Sequence, residues 1–391
     1  MSNNRWQCLR NFFLYALTIS YGIACFYLYY MQSVQPLVAE IRVYESDLPF
    51  HISMIIDDGW YYSFTAYAYQ LLYLLGGQTT ILIALFLAMV SVATVFATER
   101  LLRVLQVRNV NTLAAALILN FVMPFYVPLI GQYRYVSYQS GNLWHNSTYL
   151  CMRLVAVLCM ILYLELTETY KERIDWKKWI AFALLLVMCT GIKPSFLTVF
   201  APAMALKLFR DLVKRVPFIN VFTFGCSVLP ACGVVLWQNA VLFGEDTGQG
   251  FAIVPWATFS LHANIPKLAV MCSIAFPVLL TLCCMRQLCR NSQFFFAWLM
   301  AGIGFGEALL LMETGSRSRD GNFLWGYCFA IYYLFVVCFA NWQEGLNSFK
   351  VMSWFKKICI VICGVVLVYH LYCGSEFFLR LLCGETYFMQ R

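Results

Sequence analysis

Eleven apolar runs, joined by short polar or basic connections, constrain this chain more than any other feature. They lie at residues 11–31, 79–97, 112–130, 147–166, 179–190, 196–208, 218–242, 268–285, 294–311, 323–340 and 358–371. A helix needs about 20 apolar residues to cross the hydrocarbon core of a bilayer. Runs of this kind and number predict helices whose solvent is a membrane. Composition agrees, with 62% apolar and 12% charged residues, against about 45–50% and 25% in soluble domains. No polar stretch is long enough for a separate water-soluble domain. Residues 1–391 therefore read as one transmembrane unit of all-α class, a polytopic integral membrane protein with about eleven spans.

Arg5 and Arg10 precede the first run. That run is longer than the apolar core of a signal peptide, and no small-residue cleavage site follows it. An uncleaved first span with a cytoplasmic amino terminus is expected. Alternating sides from there places Arg100, Arg103 and Arg108 in the cytoplasm, with Lys171, Arg173, Lys177 and Lys178. Lys207, Arg210, Lys214, Arg215, Arg286, Arg290, Lys350, Lys356 and Lys357 join them. Most of the 27 basic residues then lie inside, as the positive-inside rule requires. The carboxyl terminus falls outside, and a cell (plasma) membrane is the expected location. Counting residues 60–75 as a span would export Arg100, Arg103 and Arg108. That aromatic-rich stretch, within a first outer loop of about 32–78, is instead expected to be a helix on the outer interface. A short helical hairpin is expected at about 179–209, with outer loops at about 243–267 and 312–322.

The net charge of +8 is spread over these clusters and forms no basic stripe, which argues against a nucleic-acid partner. Most of the 17 cysteines fall inside apolar runs and read as small packing residues. None shows zinc-ligand spacing with histidine. Cys373 and Cys383 alone stand where a disulfide between them is open. No sequence repeat or inverted pair of broken helices is evident, which weakens a repeat-built transporter.

The same alternation sends the reactive side chains outward: His51, His145, His262 and His370, with Asp47, Asp57, Asp58, Glu245, Asp246, Glu313 and Asp320. Glu45-Ser46-Asp47-Leu48-Pro49-Phe50-His51 follows the first span. An aspartate held by a proline-stiffened turn, four residues before a histidine, suits general-base work; a solvated loop acid is the alternative. Gly131-Gln132-Tyr133-Arg134 and Gly141-Asn142-Leu143-Trp144-His145-Asn146-Ser147-Thr148 offer turns, donors and a stacking surface for a sugar or phosphate. Asn146 or Ser147 as a helix cap explains part of that motif. Asn146-Ser147-Thr148 also matches the N-glycosylation pattern but abuts a span. In Gly191-Ile192-Lys193-Pro194-Ser195-Phe196, a lysine beside a helix start makes an anion site, or a lysine that merely snorkels. Glu313-Thr314-Gly315-Ser316-Arg317-Ser318-Arg319-Asp320-Gly321-Asn322-Phe323 places two arginines outside against the charge rule. They suit a phosphate, or close the loop on their own acids. Arg153 and Glu307 are costly ions within spans, expected to pair with each other or to join the site.

Taken together and in this order, Asp47-Leu48-Pro49-Phe50-His51, the surface helix, Gly141–Asn146, Lys193-Pro194-Ser195-Phe196 and Glu313-Thr314-Gly315 with Gly321-Asn322-Phe323 resemble the bacterial GT-C-type membrane glycosyltransferases. The resemblance covers most of the chain as a layout, on short motifs. It implies transfer of a sugar from a polyprenyl-phosphate carrier to a glycan or lipid-linked acceptor at the outer face, usually with inversion. It makes Asp47 the base, supported by His51. Lys193, Arg317, Arg319 and Arg134 would hold the carrier phosphate. Asn142, Trp144, His145, Asn146, Glu313 and Asn322 would shape the sugar and acceptor pocket. Asp47 has no adjacent second acid, so no metal or other cofactor is expected. The large extracytoplasmic domain that many such enzymes carry is missing from the pattern. A polysaccharide polymerase or ligase would rely on Arg317 and Arg319 without Asp47. A transporter or flippase would place its ions near the midplane, and a scaffold would need none of these residues.

Overall fold

The computed structural model describes residues 2–37, 42–59, 61–242, 250–285, 290–315, 318 and 320–389. The chain is a mostly helical, multi-pass membrane protein. Among the described residues, seven helices are long and apolar enough to cross a membrane, or eight if one bent pair counts as a single span. They include α1 (Ser2–Ser33), α4 (Thr79–Val104), α6 (Ser147–Thr169), α14 (Ser292–Leu310), α15 (Leu324–Asn347) and α16 (Trp354–Leu382). α9 (Phe218–Cys226) and α10 (Leu229–Leu242) together supply another. Side-chain caps start several helices: Asn111 for α5 (Thr112–Leu119), Asn146 for α6, Asp175 for α7 (Trp176–Ile192) and Asn291 for α14. α8 (Ser195–Val213) returns beside α7 after a turn of Lys193 and Pro194.

The first outer segment differs from the expected loop. Asp47 stands at the N-cap position of α2 (Leu48–Ile56) without a side-chain cap bond, and Pro49 lies in the first turn, where a missing N–H costs nothing. The stretch expected to lie on the interface forms α3 (Phe64–Leu74), shorter than expected; Trp60 lies outside the described residues. α3 buries Thr65, Ala66 and Tyr69 and leaves Leu71 and Leu74 exposed. Eleven residues rise only about 16 Å, so α3 is too short to cross. A feature with no expectation is the antiparallel pair β1 (Gly250–Ile253) and β2 (Leu311–Thr314), which ties two expected loops together. Glu245 and Asp246 lie outside the described residues.

Two ends of the bundle are chemically distinct. At one, Glu165 near the end of α6 meets Arg100 at 3.4 Å and Lys178 at 2.7 Å. Asn109 bonds Asn347 there at 3.0 Å, and Asn220 donates to Lys171 O at 3.0 Å. Residues expected on the cytoplasmic side thus gather at one end. The starts of α2, α6, α8 and α15 gather at the other around a cavity.

The run at 112–130 is not a continuous helix. α5 stops after eight residues, about 12 Å, and Pro124 and Pro128 favour the extended chain that follows. Non-helical backbone at membrane depth survives only where protein satisfies it, and here side chains do. Asn142 Nδ2 donates to Leu119 O and Val122 O, both at 2.8 Å. Tyr138 Oη donates to Val127 O and accepts from Val127 N. The run at 268–285 is also broken. α12 (Pro266–Ser273) and α13 (Ala275–Cys283) meet at a 69° bend. His370, expected at the outer face, is fully buried in α16 between the two breaks. Its Nδ1 bonds Met123 O at 2.6 Å, and its Nε2 accepts from Phe276 N at 3.3 Å. One neutral imidazole serves both segments, as donor and acceptor. Gly374, one turn later, lets α16 touch the extended chain: a Cβ there would lie 1.5 Å from Phe121 O.

Cys373 and Cys383 are both free. The first sits within α16 and the second caps its end. Ten residues of helix separate them by about 15 Å, beyond the reach of a disulfide.

Replacing His370 by Leu strands Met123 O and Phe276 N–H together. Each buried unpaired group costs roughly 1–3 kcal/mol, so His370→Leu should melt several degrees below wild type in detergent. An unchanged melting temperature would show that neither break depends on the ring.

Candidate functional site

The cavity at the acidic and aromatic end encloses about 650 Å³. Asp47, His51, His145, Asn146, Lys193 and Asn322 of the expected residues line it. Four sequence segments far apart in the chain therefore meet at one site.

Asp47 is half-buried at the start of α2. Its backbone N–H donates to His145 O at 3.2 Å, which locks the first loop to the second. Its Oδ2 accepts from Asn146 Nδ2 at 2.6 Å. Asn146 Oδ1 meanwhile accepts from Tyr149 N at 2.9 Å and so caps α6. The cap reading of Asn146 holds through its oxygen, while its nitrogen is bound to Asp47 on the cavity wall. Its nitrogen is thus engaged and its surface buried, although it lines the cavity. His51 lies one helical turn beyond Asp47, its N–H donating to Asp47 O at 3.0 Å. Its Nδ1 is 3.1 Å from Ser147 Oγ.

Lys193 sits between α7 and α8 with an extended backbone, and its side chain turns into the cavity rather than toward the surface. Nζ lies 4.6 Å above the Trp325 ring, a cation–π contact, and donates to Thr148 Oγ1 at 3.3 Å. Thr148 Oγ1 donates to Asn146 Oδ1 at 2.9 Å. The hydrogen bonds thus run in one direction, from the Lys193 ammonium through Thr148 and Asn146 to the Asp47 carboxylate. A parallel link begins at Trp325 Nε1, which donates to Asn322 Oδ1 at 3.1 Å; Asn322 Nδ2 donates to Glu313 Oε2 at 2.7 Å. Glu313 itself is buried behind Asn322 and supports the wall without lining it.

Other expectations are corrected. Trp144 does not shape the pocket. It is fully buried, donates to Tyr21 Oη at 3.2 Å, and packs on Phe378 with centroids 4.9 Å apart. Asn142 is likewise core, spent on the end of α5. Arg153 and Glu307 do not pair. Arg153 Nη1 donates to Asn142 Oδ1 at 2.6 Å and Gly141 O at 3.2 Å, while Glu307 accepts from Thr198 Oγ1 at 3.0 Å. Arg134 bonds Glu376 and stacks on Tyr126 beside the cavity, outside its lining. Arg317 and Arg319 lie outside the described residues. Thr148, Asp320, Trp325, Tyr387 and Phe388 line the cavity without having been expected as site residues. The position of Trp325, two residues past Phe323, was the available signal for one of them; the aromatic pair near the chain end carried none.

Burial decides the charge of the aromatic wall. It pushes His145 down to about 4, outweighing the pull of Asp47. It pushes the Tyr387 phenol well up, helped by the negative charges of Asp47 and Glu45. Both rings are neutral at physiological pH. Among the described residues, no three His, Cys, Asp or Glu side chains group as metal ligands. No protein-family model and no curated protein matches the chain.

Because His145 is held below its ordinary value of 6.5, the unfolded chain binds more protons between about 6.5 and 4. The contribution is complete above that window and is lost as pH falls through it, by up to roughly 3 kcal/mol. Thermal melts of wild type should decline across this range, and His145→Gln should flatten the decline. Equal slopes for both proteins would contradict the assignment.

Proposed function

We propose that the chain is a GT-C-type membrane glycosyltransferase that moves a sugar from a polyprenyl-phosphate donor to an acceptor hydroxyl at the extracytoplasmic face. The observation that carries this reading is the one-way hydrogen-bond chain from Lys193 to Asp47 along the cavity wall. It keeps a cation and a carboxylate in one pocket, spaced by a neutral hydroxyl and amide. Such a pair suits a displacement in which one substrate atom loses a proton while another gains negative charge.

In that reaction the acceptor oxygen attacks the anomeric carbon and its proton passes to the Asp47 carboxylate. The bond from the anomeric carbon to the phosphate oxygen breaks, and the polyprenyl phosphate leaves with the electron pair. Attack opposite the leaving group inverts the anomeric centre. Lys193 stabilises the growing phosphate charge, with Arg317 and Arg319 assigned to the same task from the sequence pattern. Asn146 orients Asp47. The basic end of the bundle is then cytoplasmic, the cavity faces outward, and α5 with its extended continuation supplies one of eleven crossings.

Transport is the second reading, and the two broken segments favour it, since transporters build binding sites at such breaks. Here Asn142 and His370 occupy the broken ends, and the large cavity lies at the end of the bundle rather than between them.

Lipid mass spectrometry of gently purified protein tests the carrier. Wild type should retain a polyprenyl phosphate or its glycosylated form, and the Lys193→Ala, Arg317→Ala double variant should lose it. Asp47→Asn should keep the lipid yet slow transfer by about 10²–10⁴-fold. Only bulk phospholipid in wild type would sink the carrier reading. Full turnover by Asp47→Asn would point to a polymerase or ligase instead.

A further inference from the structure

α16 ends at Leu382, and Gly384, at φ +93°, turns the chain back across the cavity end. The returning segment, residues 383–389, is fastened at both ends by main-chain hydrogen bonds. Tyr44 N–H donates to Gly384 O at 3.1 Å, and Arg134 N–H donates to Met389 O at 3.0 Å. Tyr44 leads into Asp47 and Arg134 leads toward His145, so this strap stitches together the two loops that carry the site. Ion pairs steady its base: Arg380 meets Glu376 at 3.0 Å and Glu385 at 3.1 Å, and Glu376 also holds Arg134.

Between the fastenings, Tyr387 lies flat on His145, with centroids 4.4 Å apart and planes 14° from parallel. Trp325 stands 6.1 Å from His145 and carries the Lys193 ammonium over its ring. All four side chains line the same cavity. His145 is thus nearly buried behind Tyr387 and Trp325 lies under Lys193, so the half-buried Tyr387 ring is the aromatic face left toward the cavity, with a cation at the Trp325 end. A pyranose presents an apolar C–H face and a polar edge of hydroxyls. The first packs against aromatic faces, and the second bonds to a few placed polar groups such as Asn322.

We propose that the Tyr387 ring, backed by His145, is the shelf of the sugar subsite, on which the sugar of the lipid-linked donor lies with its phosphate toward Lys193. This assignment rests on the glycosyltransferase reading and moves the sugar contacts from Trp144 and Asn142 to the strap. Tyr387 is then a specificity-determining residue, because the strap sets the height of the shelf above Asp47.

The test is equilibrium binding to the full chain in lipid nanodiscs, read by tryptophan fluorescence. The probes are citronellyl phosphate and a panel of citronellyl-phosphate hexoses. At least one hexose form should bind wild type about tenfold more tightly than the bare phosphate. Tyr387→Ala should remove that advantage, a loss of roughly five- to tenfold, while binding of the bare phosphate stays the same. Tyr387→Phe, which keeps the ring, should restore most of it, and Lys193→Ala should weaken every probe. Equal weakening of bare and glycosylated probes by Tyr387→Ala would make the strap merely structural and overturn the proposal. So would a wild type that binds all probes alike, with the carrier reading left standing. Binding of no probe would instead sink the glycosyltransferase reading, and the shelf with it.

Discussion

Backbone that leaves a helix inside a packed bundle has no water to bond to, and the site depends on how residues 120–146 and the bend at Ile274 meet that constraint. Buried polar side chains take the place of helix hydrogen bonds. Asn142 closes α5, and Arg153 holds Asn142 and Gly141 O in turn. His370 spans the two breaks. Arg153 is fully buried with its guanidinium 5.3 Å over the Tyr332 ring. Carbonyl and amide oxygens meet that charge at Nη1, and a ring face lies under it. Tyr149, one turn earlier in α6, adds a bond to Gly141 O at 2.8 Å. Fixed in this way, the second loop emerges with a rigid backbone, and His145 O can anchor Asp47.

This support explains why polar residues in a single motif divide between two tasks. Within residues 141–148, Asn142 and Trp144 face the core, whereas His145, Asn146 and Thr148 line the cavity. Sequence composition identified the motif as polar and aromatic but held no information on which way each side chain turns. The direction follows from α5 ending early, and hydropathy is blind to that. A half-helix and an extended strand of Phe, Val, Met and Pro are equally apolar. The same blindness hid the bend at Ile274 and placed His370 at a surface. Long spans were legible because one apolar helix can satisfy its own backbone; broken ones need partners from elsewhere in the chain.

The convergence of Asp47, His145, Asn146, Lys193 and Asn322 was legible for a different reason. Alternation of sides puts these connections at one end of the bundle, and a polar side chain at such an end finds either water or a partner. The strap was not legible, since Tyr387 and Phe388 resemble any other aromatic pair at a membrane boundary. Its place follows from Gly384 and from two main-chain bonds that leave no trace in residue type. Cys373 and Cys383 illustrate the converse: neighbours in sequence on an apparent outer loop, they are kept apart by the length of α16.

The neutral spacer between Lys193 and Asp47 gives the site a property that a direct ion pair would lack. A contact pair would hold the two charges directly against each other. With Thr148 and Asn146 between them, the two charges polarise a common chain of donors along the cavity wall. Negative charge arriving near Lys193 weakens the donor bond to Thr148, and the change is passed along the chain toward the Asp47 carboxylate. Asn146 cannot rotate to absorb the change, because its oxygen caps α6. The helix start therefore sets the geometry of the acid, and the acid and the cation are held in register by the same amide that begins the span.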